Sequence, residues 1–325
     1  MASLFTKMAM RRTKTPQKRP RRTRAPRPPA ETPGIALADA LADRVRAYGT
    51  QAQRLTRADG TPHEEAVHDF RVASRRLAAA LQATTAVLPG GDAHRACKKL
   101  RKQVKRAFKR LGTLRDLEVI GALSDSFSTD TPALQDVAVT LAHEREELTV
   151  SALGRLRRRV LPKALRTLAL VAPALDQELR LSPAAGPALA EMLSGELERV
   201  EHHVEALRPK RAQGFHALRL AMKKLRYTLE FLGALPGPHV RASQAIVKTA
   251  RGFQDQLGLI QDHTVLLAHA KRLLSDPAAL RPVREARGRL MEEVYGARPA
   301  LVRMLRQGQA LLTTLDGRPA AQPEA

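Results

Sequence analysis

The sequence predicts an all-α protein built from two similar helical bundles, and three observations carry that expectation. Ala, Leu and Arg, all strong helix formers, dominate the 325 residues, whereas aromatic residues make up only 3% and tryptophan is absent. Apolar residues recur at helical spacing from Ile35 onward, with no convincing alternating run of the kind a half-buried strand needs. One motif is also written twice. The first copy reads His68-Asp69-Phe70-Arg71, then Arg75-Arg76-Leu77; the second reads His216-Ala217-Leu218-Arg219, then Lys223-Lys224-Leu225-Arg226. Each leads to a Leu-Gly element, Leu111-Gly112-x-x-Arg115-Asp116 and Leu257-Gly258-x-x-Gln261-Asp262. The histidines lie 148 residues apart and the glycines 146, an offset shared closely enough to point to a duplicated unit.

Taken in order, amphipathic periodicity marks helices over residues 35–57, 62–88, 93–111, 115–125 and 132–172. The second half continues with 187–207, 212–234, 239–257, 260–274 and 278–315, the last broken near Gly296 and Pro299. In the second helix the apolar stripe is Val67, Phe70, Ser74, Leu77, Leu81 and Leu88, and its counterpart is Phe215, Leu218, Met222, Leu225, Leu229 and Leu232. The third helix carries Cys97, Leu100, Val104, Phe108 and Leu111. Pro89-Gly90-Gly91 and Pro236-Gly237-Pro238 form matching turns. Pro183 and Gly186 interrupt the pattern between Leu181 and Pro187, which places the junction between a first repeat, 34–182, and a second, 183–315. Short connections favour antiparallel packing.

The flanks differ from this body. Residues 1–33 hold ten Lys and Arg against one acid, Glu31, with prolines from Pro16 to Pro33. Such a segment buries too little apolar surface to fold alone and is expected to be a disordered arm; residues 316–325 are expected to be a disordered tail. Net charge is +24; the arm supplies +9 and leaves +15 for the body. That balance calls for an anionic partner: nucleic acid, anionic lipid or a phosphate polymer. No stretch approaches the roughly 20 apolar residues a membrane span needs, so no membrane insertion is expected. A single cysteine, Cys97, and the lack of an N-terminal apolar region fit a reducing, cytoplasmic setting.

Helical phase turns the charge into a surface. His68, Arg71 and Arg75 each follow a stripe position by one residue, about 100° around the same cylinder. His216, Arg219, Lys223 and Arg226 repeat the placement. In the third helix Lys98, Arg101, Lys105 and Lys109 flank the stripe, and Lys102 and Arg106 widen the band. A gap of 146 maps Lys102 onto Lys248 and Lys105 onto Arg251. Acids are nearly absent here: from Phe70 to Arg115 there are thirteen Lys and Arg but one acid, Asp92, and from Gly214 to Gln254 seven against one, Glu230. Solvated helix faces normally mix both signs, and concentrated like charge costs stability, so an external anion is the natural compensator. Two such hairpins facing one another would line a cationic groove or channel. The two histidines admit either a phosphate contact or a structural hydrogen bond; with an ordinary pKa of about 6.5, a contact would strengthen binding in mild acid.

These residues resemble the CHAD family, the conserved histidine α-helical domain. The likeness rests on the His-x-x-Arg-x-x-x-Arg-Arg-Leu element, its copy ending Lys223-Lys224-Leu225-Arg226-Tyr227, and the two Leu-Gly elements, and it covers roughly residues 34–315. It implies two four-helix bundles related by pseudo-twofold duplication, with accessory helices, around a basic channel that binds inorganic polyphosphate. It also implies association with polyphosphate granules. Carried over by position, the implied binding residues are His68, Arg71, Arg75 and Arg76, the Lys98–Lys109 band, His216, Arg219, Lys223, Lys224 and Arg226, and Lys248 and Arg251. The second half departs from symmetry, with Asp255 where the first has Lys109 and Gly252 where it has Arg106. The first half is therefore expected to contribute more of the binding energy.

Other functions find less support. CHAD domains often accompany a triphosphate tunnel enzyme, whose Glu-x-Glu-x-Lys strand holds metal. Here Glu144-x-Glu146 and Glu196-x-Glu198 lie within helical pattern and lack the lysine. A glycine-rich phosphate loop is missing, and no nucleophile arrangement is evident. Glu65-x-x-His68 has the spacing of a di-iron ligand pair, but the second copy reads Gln213-x-x-His216, so no metal or other cofactor is expected. Catalysis is not expected. Nucleic acid is the stronger competitor, because the arm from Arg11 to Arg27 could track a phosphate backbone; scarce aromatics argue against base stacking. Oligomeric state is left open.

Overall fold

The computed structural model describes residues 32–57, 64–88, 90–183, 185–233, 235 and 237–315. The expected disordered arm (but for its last two residues) and the C-terminal tail lie outside the described residues, as do Pro89 and Pro236 of the two turns. The chain is all-α, and no strand occurs among the described residues. Its helices are α1 (Pro33–Arg57), α2 (Glu64–Val87), α3 (Gly91–Arg110), α4 (Gly112–Ser126), α5 (Ala133–Arg155), α6 (Leu161–Arg180), α7 (Ala185–Glu205), α8 (Ala212–Leu232), α9 (His239–Leu273), α10 (Arg281–Gly296) and α11 (Arg298–Leu315).

Adjacency defines two rings of four helices. Helices α1, α2, α3 and α6 pack in a closed circuit, and α7, α8, α9 and α11 pack in another. The α2 stripe lies where expected: Phe70, Leu77 and Leu81 are fully buried, and Ser74 joins them by donating its hydroxyl to the Phe70 carbonyl at 2.7 Å. Phe215, Leu218, Met222, Leu225, Leu229 and Leu232 are equally buried on α8. Val67 and Phe108 are the exceptions, each only half-buried. The rings meet where α2 packs on α8 and α7, and α1 on α7.

The two turns share a device. Gly91 (φ +80°) and Gly237 (φ +154°), also 146 residues apart, occupy left-handed backbone that side chains resist. A histidine then ties each following helix to the end of the preceding one: His94 Nδ1 meets the Leu88 carbonyl, and His239 Nε2 meets the Leu232 carbonyl at 3.0 Å.

Two elements differ from the sequence expectation. Residues 132–172, read as one helix, form α5 and α6 joined by a π turn, Leu156–Val160, with α6 running on to Arg180. Pro162 has no N–H to give the Arg158 carbonyl, and a widened turn absorbs the loss. Residues 239–257 and 260–274, read as two helices, are the single 35-residue α9. Its stripe runs through Gly258 unbroken, from Ile246, Phe253 and Leu257 to Ile260, Leu266 and Ala270. The matching Leu-Gly in the first half does break: Leu111 (φ −87°, ψ −1°) ends α3, and the Arg71 guanidinium donates to its carbonyl.

The longer α9 gives α4 and α5 a seat. Leu117, Ile120, Leu134, Val137 and Leu141 bury against Leu266, Leu267 and Ala270 of α9 and against Leu280 and Val283, as a second core apart from the main one. Helices α4 and α5 of the N-terminal half thus pack on α9 of the C-terminal half.

Candidate polyanion-binding site

The α2–α8 contact sets the two copies of the motif side by side. Arg75 of α2 joins Arg219, Lys223 and Arg226 of α8, and Gln254, Asp255, Gly258 and Asp262 of α9, around a concavity of about 410 Å³. Tyr227 supports the arginines: the Arg226 guanidinium lies 4.5 Å from its ring centroid and that of Arg75 6.0 Å. Lys223 is the electrostatic centre. Burial first, then Arg219, Arg75, Arg71 and Arg226, pull its pKa from 10.5 down to about 7. Burial, with Arg75 next, also lowers Arg71. Across the concavity burial raises Asp262, Arg219 opposing that rise and Asp116 adding to it.

A different group of cations gathers on an adjacent face of α8. Lys224, one residue and about 100° on, faces Arg101 and Lys105 of α3. Burial, then Arg101 and Lys224, lower the Lys105 pKa. Lys98, Arg101 and Lys224 line a concavity of about 640 Å³ with Glu191, Glu196 and Arg199 of α7. Here counter-charges are built in. Arg101 donates to Gln82 Oε1, Gln82 donates to Glu196 Oε1 at 3.0 Å, and Arg199 pairs with Glu196 at 2.6 Å.

The family model for the CHAD domain matches residues 38–271. This chain belongs to the CHAD domain family. The crystal structure of the CHAD domain from the plant Ricinus communis is similar, with a TM-score of 0.59 and 22% identity over 90% of this chain and 94% of that one. PptA from Streptomyces chartreusis is similar at a TM-score of 0.52 and 19% identity, over 85% of this chain and 98% of that one. At these identities the likeness is one of fold. A comparison with curated proteins returns no significant match.

Within the CHAD fold the sequence-assigned residues separate into classes. Arg71, Arg75, Arg219, Lys223 and Arg226 converge, and Arg101, Lys105 and Lys224 form another group, so the cations assigned to one groove fall into two clusters. Glu230 ties Arg226 of the first cluster, at 3.0 Å, to Arg251 at 3.4 Å and Arg76 at 3.7 Å. This hub was missed, although Glu230 is the one acid of its depleted stretch and stands at i+4 from Arg226. Lys102, Arg106, Lys109 and Lys248 are exposed and line neither concavity. The histidines diverge as well. His216 Nδ1 lies 2.5 Å from Gln261 Oε1, the glutamine of its own Leu-Gly element. His68 is exposed at a third concavity, about 660 Å³, beside Arg71, Arg115 and the apolar Leu114 and Leu153. Arg115 stands where the second copy has Gln261, and it pairs with Glu118 instead.

Proposed function

We propose that this CHAD protein binds inorganic polyphosphate without chemically altering it, and that the concavity around Lys223 is where the polymer is held. One observation carries the reading: Arg75, Arg219 and Arg226, drawn from both copies of the motif, line one concavity with a half-buried lysine, and Arg71 adds to the positive field on it. Cations crowded beyond the charge of Asp255, Asp262 and Glu230 beside them disfavour the folded state, and an added anion relieves that cost. Polyphosphate carries an ionised oxygen on each internal unit and offers no base edges, so recognition rests on charge density. Arginine holds phosphate oxygens bidentately and lysine supplies a point charge. The Lys98–Arg101–Lys105–Lys224 group extends the track for longer chains. Granule targeting follows as the cellular role, with the cations of residues 1–33 engaging a second anionic surface such as nucleic acid.

The test is a competition titration of the full-length protein, long-chain polyphosphate against duplex DNA at physiological salt, repeated with Arg75→Glu/Lys105→Glu. The expected result is displacement of DNA at far lower charge-equivalent concentration, and a loss of about 3 kcal/mol or more of polymer affinity in the variant with helicity retained by circular dichroism. Even competition by charge would reduce the site to a generic polyanion binder. Unchanged affinity in the variant would remove the assignment.

A further inference from the structure

The concavity holding Arg75, Arg219 and Arg226 contains a single lysine, and its ε-amine stands among groups suited to a phosphoryl moiety. We propose that Lys223 is a covalent modification site, its ε-amine taking the acyl group of small acyl phosphates whose phosphoryl end the arginines hold. This deepens the phosphate-holding reading of the same concavity and rests on it.

Geometry and charge act together. A lysine is an acyl acceptor only as the free amine, and desolvation beside other cations is a recognised way to expose one. The groups facing Lys223 are Arg71 and Arg75 of α2, Arg219 and Arg226 of its own helix, and Gln254, Asp255 and Asp262 of α9. Both carboxylates belong to α9, and the cationic side dominates: burial and the four arginines hold the pKa at about 7, so near neutrality a large share of Lys223 is uncharged. Lys224 provides an internal comparison, being its sequence neighbour, exposed, and lining a different concavity. In the step, the Lys223 nitrogen attacks the carbonyl carbon and an N–C amide bond forms. The C–O bond to phosphate breaks with its electron pair going to oxygen, and inorganic phosphate leaves with the amine proton. Nothing is oxidised or reduced. The product lacks the central cation, so the modification weakens polymer binding and makes it responsive to acyl phosphate supply.

The experiment treats the full-length protein with acetyl phosphate at pH 7.5 and follows early acetylation at each lysine by quantitative mass spectrometry. Lys223 is expected to react about tenfold faster than Lys224, and saturating long-chain polyphosphate to suppress that reaction. Rates at Lys223 equal to or below those at Lys224 would overturn the inference. A parallel run with the neutral reagent N-hydroxysuccinimidyl acetate isolates the arginines' part. The preference for Lys223 should be larger with acetyl phosphate, and an equal preference would overturn their role in holding the phosphoryl group. The two readings fail separately. An unreactive Lys223 in a protein that binds polymer through Arg75 sinks the modification alone. A reactive Lys223 that the polymer neither binds nor protects sinks the polyphosphate assignment.

Discussion

Lys223 is half-buried in the field of four guanidiniums, so its charged form opposes folding. The folded pKa of about 7 lies below the ordinary 10.5, so between those values the unfolded chain binds the extra proton and stability rises with pH. Below pH 7 both states are charged and the whole cost is present. Lys223→Met should therefore raise unfolding free energy by about 1–3 kcal/mol at pH 6, with a smaller gain at pH 9, in urea titrations, while weakening polymer binding. His216 offers a second check. Its ring is bonded to Gln261, so His216→Ala and Gln261→Ala should show a coupling of about 1 kcal/mol in a double-mutant stability cycle. Additive effects would free His216 for ligand. The motif made both histidines visible, but their different surroundings follow from Arg115 standing where the other copy has Gln261, which no spacing rule decides.

Helix boundaries show how identical words acquire different meanings. Leu111-Gly112 and Leu257-Gly258 read alike, yet one ends a helix and the other lies inside α9. At the break the Leu111 carbonyl accepts from Arg71, outside the helix, as well as from the Arg115 N–H, whereas the α9 stripe continues in phase to Ala270. A Cβ at Gly258 meets nothing within 4 Å. Gly258→Ala should thus stabilise the protein by about 0.5–1 kcal/mol in thermal or urea unfolding, as for any open helix-interior glycine. A loss would mean that the helix turns there. The stripes of α2, α3 and α8 were legible because burial imposes a 3.6-residue period on one face. The π turn before α6 was not, because it answers a missing N–H at Pro162 rather than a periodic signal.

At the scale of the molecule, the proposed polymer binding uses a track longer than one concavity. Neutralising several phosphates releases condensed counterions, so log affinity should fall linearly with log salt. Chains long enough to reach both the Lys223 and the Lys105–Lys224 groups should bind more tightly, per chain, than short oligophosphates. Isothermal titrations across salt and chain length would check both; a shallow slope, or no length dependence, would confine binding to one local contact. Composition, periodicity and the twice-written motif were enough to give an all-α body, its buried stripes and a cationic surface, because each follows from local chemistry repeated along a helix. They could not divide that surface. Packing α2 on α8 made Lys223 the centre of one cluster and turned Lys224 toward another, and Glu230 drew in Arg76, Arg226 and Arg251. Those outcomes depend on distances between residues far apart in the chain, and only the folded arrangement of the helices sets them.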